Sequence, residues 1–267
     1  MGEKSRSQVI LETARLTKHF GEVRAVDGVD MQISQGEVLS IVGPNGAGKT
    51  TLLKVLSGGH SIDTGTMSFI GRDVSHLGLI QRARMGIVYS FQIPALFENL
   101  NALDSISLTL FTREHKTIVF FPTTKRFPGI RQEAQKILKM FNVPETTVTS
   151  ELPHGQRKLL DVAIAFALKP RLLLLDEPTS GVSTEEKGQV MDTIMPIIRQ
   201  RNTTAVIVEH DMEIVTRYSH RIIVMDQGKV LVQGSPQEVM NNEKVKEVLL
   251  GHAPSVRNEM ATPSPGR

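Results

Sequence analysis

Three observations predict an α/β fold: a parallel sheet with an antiparallel β portion ahead of it and a helical portion inserted into it. From Gly155 onward, helix-like and strand-like segments alternate, the pattern of a parallel sheet with crossover helices. A glycine-rich turn, Gly43 to Gly48, joins an apolar run to a helix-like one. Ahead of that turn, short β-rich runs separated by glycines fit antiparallel pairing.

In chain order, Val9 to Ala14, Val29 to Ile33 and Val38 to Val42 read as strands, with Gly21, Gly28 and Gly36 as turn formers. A helix is expected from Lys49 to Leu56, then strands at Met67 to Ile70 and Ile87 to Ser90. Between Asn101 and Phe141 the periodicity is helical, broken over Thr112 to Ile130 by two prolines and a glycine. That stretch reads as an irregular insertion whose Arg113, Lys116, Lys125 and Arg126, among Phe120, Phe121 and Phe127, suit an interface. Next come a helix to Leu168, strand Leu172 to Leu175, helix Thr184 to Arg199, strand Ala205 to Val208, a helix to Tyr218 and strand Ile222 to Met225. Gln227-Gly228 makes a hairpin turn, and Ser235 with Glu238 forms a capping box with proline at the first helical position. Residues 1–253 are expected to form one domain, with about 92–168 as its helical subdomain and 254–267 as a polar, disordered tail.

The 267 residues, 40% hydrophobic, suffice for a full core. A net charge of +3 without a long basic block gives no nucleic-acid footprint. No run approaches the roughly 20 apolar residues of a membrane span, and the polar start MGEKSRSQ does not read as a signal peptide. Cysteine is absent, which excludes disulfides and thiolate-bound metal, and the eight histidines lack a metal-binding spacing.

The turn reads Gly43-Pro44-Asn45-Gly46-Ala47-Gly48-Lys49-Thr50-Thr51, a P-loop between a buried strand and a helix. Glycines let backbone N–H groups crowd phosphates, the helix N-terminus adds positive potential, Lys49 reaches the β and γ phosphates, and Thr50 ligates Mg²⁺. A nucleoside triphosphate with magnesium is the expected ligand. Four leucines then carry Asp176 and Glu177 to the carboxyl end of a strand, where ligands of such sheets sit. Asp176 suits the magnesium shell, and Glu177 suits orienting and deprotonating a water.

Together with Gln92 in Tyr-Ser-Phe-Gln, Leu152-Pro-His-Gly-Gln156 and Val208-Glu-His210-Asp, these motifs resemble the ABC ATPase family from about Val9 to Gly251. The resemblance implies a RecA-like P-loop NTPase core and ATP hydrolysis with Mg²⁺. It makes Gln92 a glutamine touching magnesium and water, His210 a γ-phosphate contact and Phe20 the aromatic that stacks on adenine. It also makes Gly155 and Gln156 donors to the γ phosphate held by a second ATP-binding subunit, so that two ATP molecules join two cassettes. The other partners implied are a transmembrane permease and, indirectly, a solute-binding protein, with the chain peripheral on the cytoplasmic side of the membrane. The segments Val208 to Met212 and Gln233 to Asn242 are similar to those of importers of branched-chain amino acids or of urea and short amides.

Two positions depart from the family pattern. Pro153-His154 stands where the family carries a serine and a glycine, so the serine hydroxyl that would meet the γ phosphate is missing; His154 either only faces the permease or solvent, the simpler reading, or is the nearest replacement donor. Ser183 replaces an aspartate and reads, with Glu186, as a helix cap. A soluble ABC ATPase working on ribosomes or DNA is the alternative. The single cassette and the lack of a long heptad array argue against it.

Overall fold

The computed structural model describes residues 8–90, 98–114 and 127–250. Strands β1 (Val9–Phe20) and β2 (Val23–Ser34) form a long antiparallel hairpin, and β4 (Thr64–Phe69) and β5 (Arg72–Asp73) complete a four-stranded sheet ordered β2-β1-β4-β5. The hairpin exceeds the two short runs expected. Gly21 lies in its turn as predicted, but Gly28 falls inside β2. There the register shifts by one residue between the pairs Leu16 with Val29 and Lys18 with Val26, so the glycine accommodates a bulge instead of ending the strand.

The second sheet is ordered β10-β9-β3-β8-β7-β6, from β3 (Val38–Val42), β6 (Ile87–Ser90), β7 (Leu172–Asp176), β8 (Thr204–Val208), β9 (Arg221–Asp226) and β10 (Lys229–Gly234). Five strands run parallel, and β10 pairs antiparallel to β9 at the edge. Period-two alternation explains how an all-leucine strand is used: Leu172 and Leu174 pack with the antiparallel sheet and α1 (Lys49–Ser57), while Leu173 and Leu175 face the helices on the other side. Those helices are α3 (Ala102–Arg113), α4 (Pro128–Met140), α5 (His154–Ala167) and α6 (Thr184–Gln200). The chain ends in α7 (Met212–Tyr218), α8 (Pro236–Met240) and α9 (Glu243–Leu250), where Val239 and Val245 join Val42 and Val224 in a third cluster. Among the described residues no helix is long and apolar enough to cross a membrane.

The irregular stretch is shorter than expected, because α3 runs on through Arg113 and α4 starts at Pro128, where proline is tolerated for want of a needed N–H. Arg113 forks onto the Glu133 carboxylate at 3.0 and 2.8 Å and donates to the Ala167 carbonyl at 2.8 Å. Phe127 meets Phe111 edge-on with centroids 5.0 Å apart. Both side chains therefore hold the subdomain together, which corrects their assignment to an exposed interface. Lys116, Phe120, Phe121, Lys125 and Arg126 lie outside the described residues.

Helix α2 (Leu79–Met85) was not expected, and its anchor is an arginine. Arg82, 1% exposed, donates to the carbonyls of Val55 and Leu56 at 2.6 and 3.0 Å. It thereby places a cation on the carbonyl end of α1, where the helix dipole favours positive charge.

At the junction of helical subdomain and sheet, Ser90 Oγ donates to Asp161 Oδ2 at 3.0 Å. Burial pushes the Asp161 carboxyl up to about 7 from an ordinary 3.8, against the pull of Ser90 and Lys158. A raised folded-state value means the folded protein binds the extra proton, so stability falls as pH rises from about 4 through about 7 and stays low above. Asp161→Asn should then be more stable than the wild type at pH 8, by about 2 to 4 kcal/mol, with the gap closing toward pH 4. Urea unfolding of both proteins at the two pH values checks this, and a gap independent of pH would contradict it.

Candidate functional site

The site is built where β3 leaves the sheet. All five residues of that strand are buried, so the chain emerges from the core at a fixed point and turns through the P-loop into α1. Gly48 precedes the helix with φ +97°, and a Cβ there would lie 2.0 Å from the Ala25 carbonyl oxygen. Glycine is thus the residue that lets the loop reach β2. The β9–β10 turn closes from the other side: Gly228 donates to the Ala47 carbonyl at 3.0 Å and accepts from the Asp27 N–H at 2.9 Å.

Lys49 is buried, and its ammonium donates to the carbonyls of Gly43 and Pro44 at 2.8 and 2.9 Å. Burial pulls its pKa down, while the charges of Glu177 and Asp176 act the other way. Thr50 Oγ1 donates to Asp176 Oδ1 at 3.2 Å, and the Tyr89 hydroxyl donates to Asp176 Oδ2 at 2.7 Å. Burial first, then that hydrogen bond to Asp176, raises the Tyr89 pKa, so the phenol stays a proton donor that fixes the carboxylate.

Glu177 follows β7 in a left-handed backbone conformation, φ +51°, with its N–H bonded to the Val208 carbonyl at 2.9 Å. The next strand, β8, ends beside it, and His210 Nε2 lies 2.8 Å from Glu177 Oε1. Both side chains line an open pocket of about 950 Å³ together with Asn45 to Thr51, Val23 and Leu231. The sequence-predicted Asn45, Gly46, Ala47, Gly48, Lys49, Thr50, Thr51, Glu177 and His210 therefore meet in one place. Gly43 and Pro44 contribute the carbonyls behind Lys49, and Asp176 the carboxylate beneath Thr50.

Three predicted positions are not brought to that pocket. Phe20 ends β1 half-exposed, with its ring edge-on to His60 at 5.3 Å and the Lys18 ammonium 5.6 Å from its centroid. Among the described residues Val23 lines the pocket and Phe20 does not. Gly155 and Gln156 lie in the first turn of α5, capped by Pro153, whose carbonyl accepts from the Arg157 N–H at 2.9 Å. Pro153 and His154 are exposed there. Gln92 lies outside the described residues.

Sequence reasoning missed several groups that shape the site. Tyr89 and Gly228 are two. Lys158 is a third, donating to Ser180 Oγ at 2.8 Å and so tying α5 to the loop after Glu177. Ser183 does cap α6, accepting from the Glu186 N–H at 3.3 Å, as its spacing predicted.

The family model described as ABC transporter matches residues 26–180. The high-affinity branched-chain amino acid transport ATP-binding protein BraF of Pseudomonas aeruginosa is 32% identical over 256 residues, covering 92% of this chain and 100% of that protein. The corresponding protein LivG of Escherichia coli is 31% identical over 255 residues, with the same coverage of 92% and 100%. Among solved structures, an ATP-binding cassette of an ABC transporter in its ADP conformation superposes with a TM-score of 0.81 at 27% identity, covering 92% of this chain and 100% of that one. The family match spans the P-loop and both carboxylates, and the relatives align along their whole length; the chain belongs to the ABC transporter family.

Proposed function

We propose that the pocket binds ATP with magnesium and hydrolyses it, and that the chain does so as one of two cassettes on the cytoplasmic face of a membrane permease. The observation that carries the reading is the Glu177–His210 pair, 2.8 Å apart beside the P-loop. Residues 1–253 serve as the nucleotide-binding domain. The P-loop N–H groups and the start of α1 hold phosphate oxygens, and Lys49 exchanges its two carbonyl partners for phosphate. Thr50 and Asp176 offer a hydroxyl and a carboxylate, the hard oxygen donors that suit Mg²⁺. Gln92 would complete that shell. Bound magnesium would neutralise charge on the phosphate oxygens.

Glu177 orients the attacking water and takes its proton, while His210 holds the carboxylate and faces the γ phosphate. The base stacks on Phe20 or the neighbouring aliphatic surface of Val23. Gly155 and Gln156, at the start of α5 and away from this pocket, serve the ATP of the partner cassette through backbone N–H groups and the helix dipole. The relatives named for branched-chain amino acid transport support the same solute class. None of the site residues would touch the solute.

The purified chain should hydrolyse ATP with Mg²⁺ and stop on chelation. Lys49→Ala should weaken ATP binding by about 10- to 100-fold, the worth of a charge-assisted hydrogen bond. Hydrolysis that persists with chelator, or unchanged binding by Lys49→Ala, would overturn the nucleotide reading. Uptake of labelled leucine should be lost when the gene is deleted, and unaltered uptake would remove the solute assignment alone.

A further inference from the structure

We propose that Glu209 is a positioning residue that sets the geometry between Glu177 and His210, by bracing the loop after β7 against the end of β8. The inference rests on the hydrolytic reading above. Glu209 is 4% exposed and follows β8 directly. Its Oε1 accepts from Thr179 N–H at 3.0 Å and from Thr179 Oγ1 at 2.7 Å, and its Oε2 accepts from the His210 N–H at 3.3 Å. Thr179 is itself 1% exposed and stands two residues beyond Glu177. One buried carboxylate thus spans both segments whose side chains meet at 2.8 Å.

The residue type is informative. Three donors converge on the two oxygens, so an ionised carboxylate satisfies all of them, whereas an amide must turn its NH₂ onto one donor. Among the described residues no salt bridge ends on it: Lys187, whose charge acts on it, is engaged by Asp211 at 3.0 Å. Burial raises the Glu209 pKa, and the bonds from Thr179 and His210, followed by the charge of Lys187, oppose the rise, so neutral donors supply every hydrogen bond this buried carboxylate receives. Such a group is conformationally demanding. If either loop moves, the carboxylate loses donors that water cannot replace. A second backbone tie between the segments, the Glu177 N–H on the Val208 carbonyl at 2.9 Å, fixes the backbone of Glu177 but not that of His210. Glu209 supplies the missing restraint.

The test is steady-state hydrolysis by Glu209→Gln, Thr179→Val and His210→Ala, singly and with Glu209→Gln combined with His210→Ala, alongside Glu177→Gln and thermal unfolding of each. Glu209→Gln should lower kcat by about 10²-fold, the effect of a misplacement near 1 Å, with KM for ATP within about threefold. Thr179→Val, which keeps the backbone donor and the shape, should lower kcat less and leave KM alone. In the His210→Ala background, Glu209→Gln should add at most a few fold, because the geometry it protects is already gone. A Glu209→Gln enzyme with kcat near wild type, or with losses that multiply fully with His210→Ala, overturns the proposal. If Glu209→Gln does not fold, Thr179→Val decides alone, and an unchanged kcat there also overturns it. Should Glu177→Gln keep its turnover, the hydrolytic reading fails instead.

Discussion

Replacing Glu177 by glutamine should slow ATP hydrolysis by about 10²- to 10³-fold or more while leaving ATP binding within a few fold of wild type. The substitution conserves shape, and glutamine tolerates the left-handed backbone, φ +51°, no worse than glutamate. The contacts of the phosphate cradle remain: Lys49 keeps the carbonyls of Gly43 and Pro44 until phosphate replaces them, and although it loses the charge of Glu177, Asp176 remains as a counter-charge. An amide still forms a hydrogen bond with His210 Nε2, so the pair keeps its contact. What disappears is the group that accepts the proton of water. With binding intact and hydrolysis stopped, ATP should hold two chains together as a dimer, visible by light scattering only when nucleotide is present. Steady-state turnover within a few fold of wild type would remove Glu177 from its role as base.

The parallel sheet and the P-loop were legible because their signals are local. Leu172 to Leu175 form an uninterrupted apolar run ending in two carboxylates, which fits a strand buried on both faces and little else. Helix α2 was not legible because the position a helical pattern would fill with an apolar side chain is Arg82, the buried residue of that helix. Gly28 misled for a related reason. A glycine in a β-rich region serves a turn or a bulge equally well, and the choice depends on how far β1 extends opposite it. Within the site, Lys49, Thr50, Asp176 and Glu177 followed from motif chemistry. Tyr89, Lys158, Glu209 and Gly228 act across 22 residues or more of chain, on partners that no spacing rule identifies. Glu209 was visible only as a letter between Val208 and His210.

Gly48→Ala should be a severely damaging single-methyl change in the cradle, and Gly46→Ala a mild one for stability, although both glycines have positive φ, +97° and +82°. Backbone strain is common to the two positions and costs about 1 to 2 kcal/mol each. The surroundings differ. At Gly46 nothing lies within 4 Å of an added Cβ. At Gly48 it would meet the Ala25 carbonyl oxygen at 2.0 Å and its carbon at 3.2 Å, with the Gly228 Cα at 3.5 Å behind. These are backbone atoms of β2 and of the β9–β10 turn, and that turn is bonded to Ala47 and Asp27 at 3.0 and 2.9 Å. No side chain can swing aside, so the P-loop must pull away from β2. That separation displaces the N–H groups preceding Lys49 and opens the pocket wall that carries Val23 and Arg24. Gly48→Ala is expected to lower stability by about 3 kcal/mol or more, strain and overpacking together, and to abolish detectable ATP binding. Gly46→Ala should lower stability by about 1 to 2 kcal/mol. Urea unfolding with fluorescent-nucleotide titration of both variants tests the contrast. Equal stability losses at the two positions would show that the close approach of Gly48 to Ala25 does not hold the cradle in place.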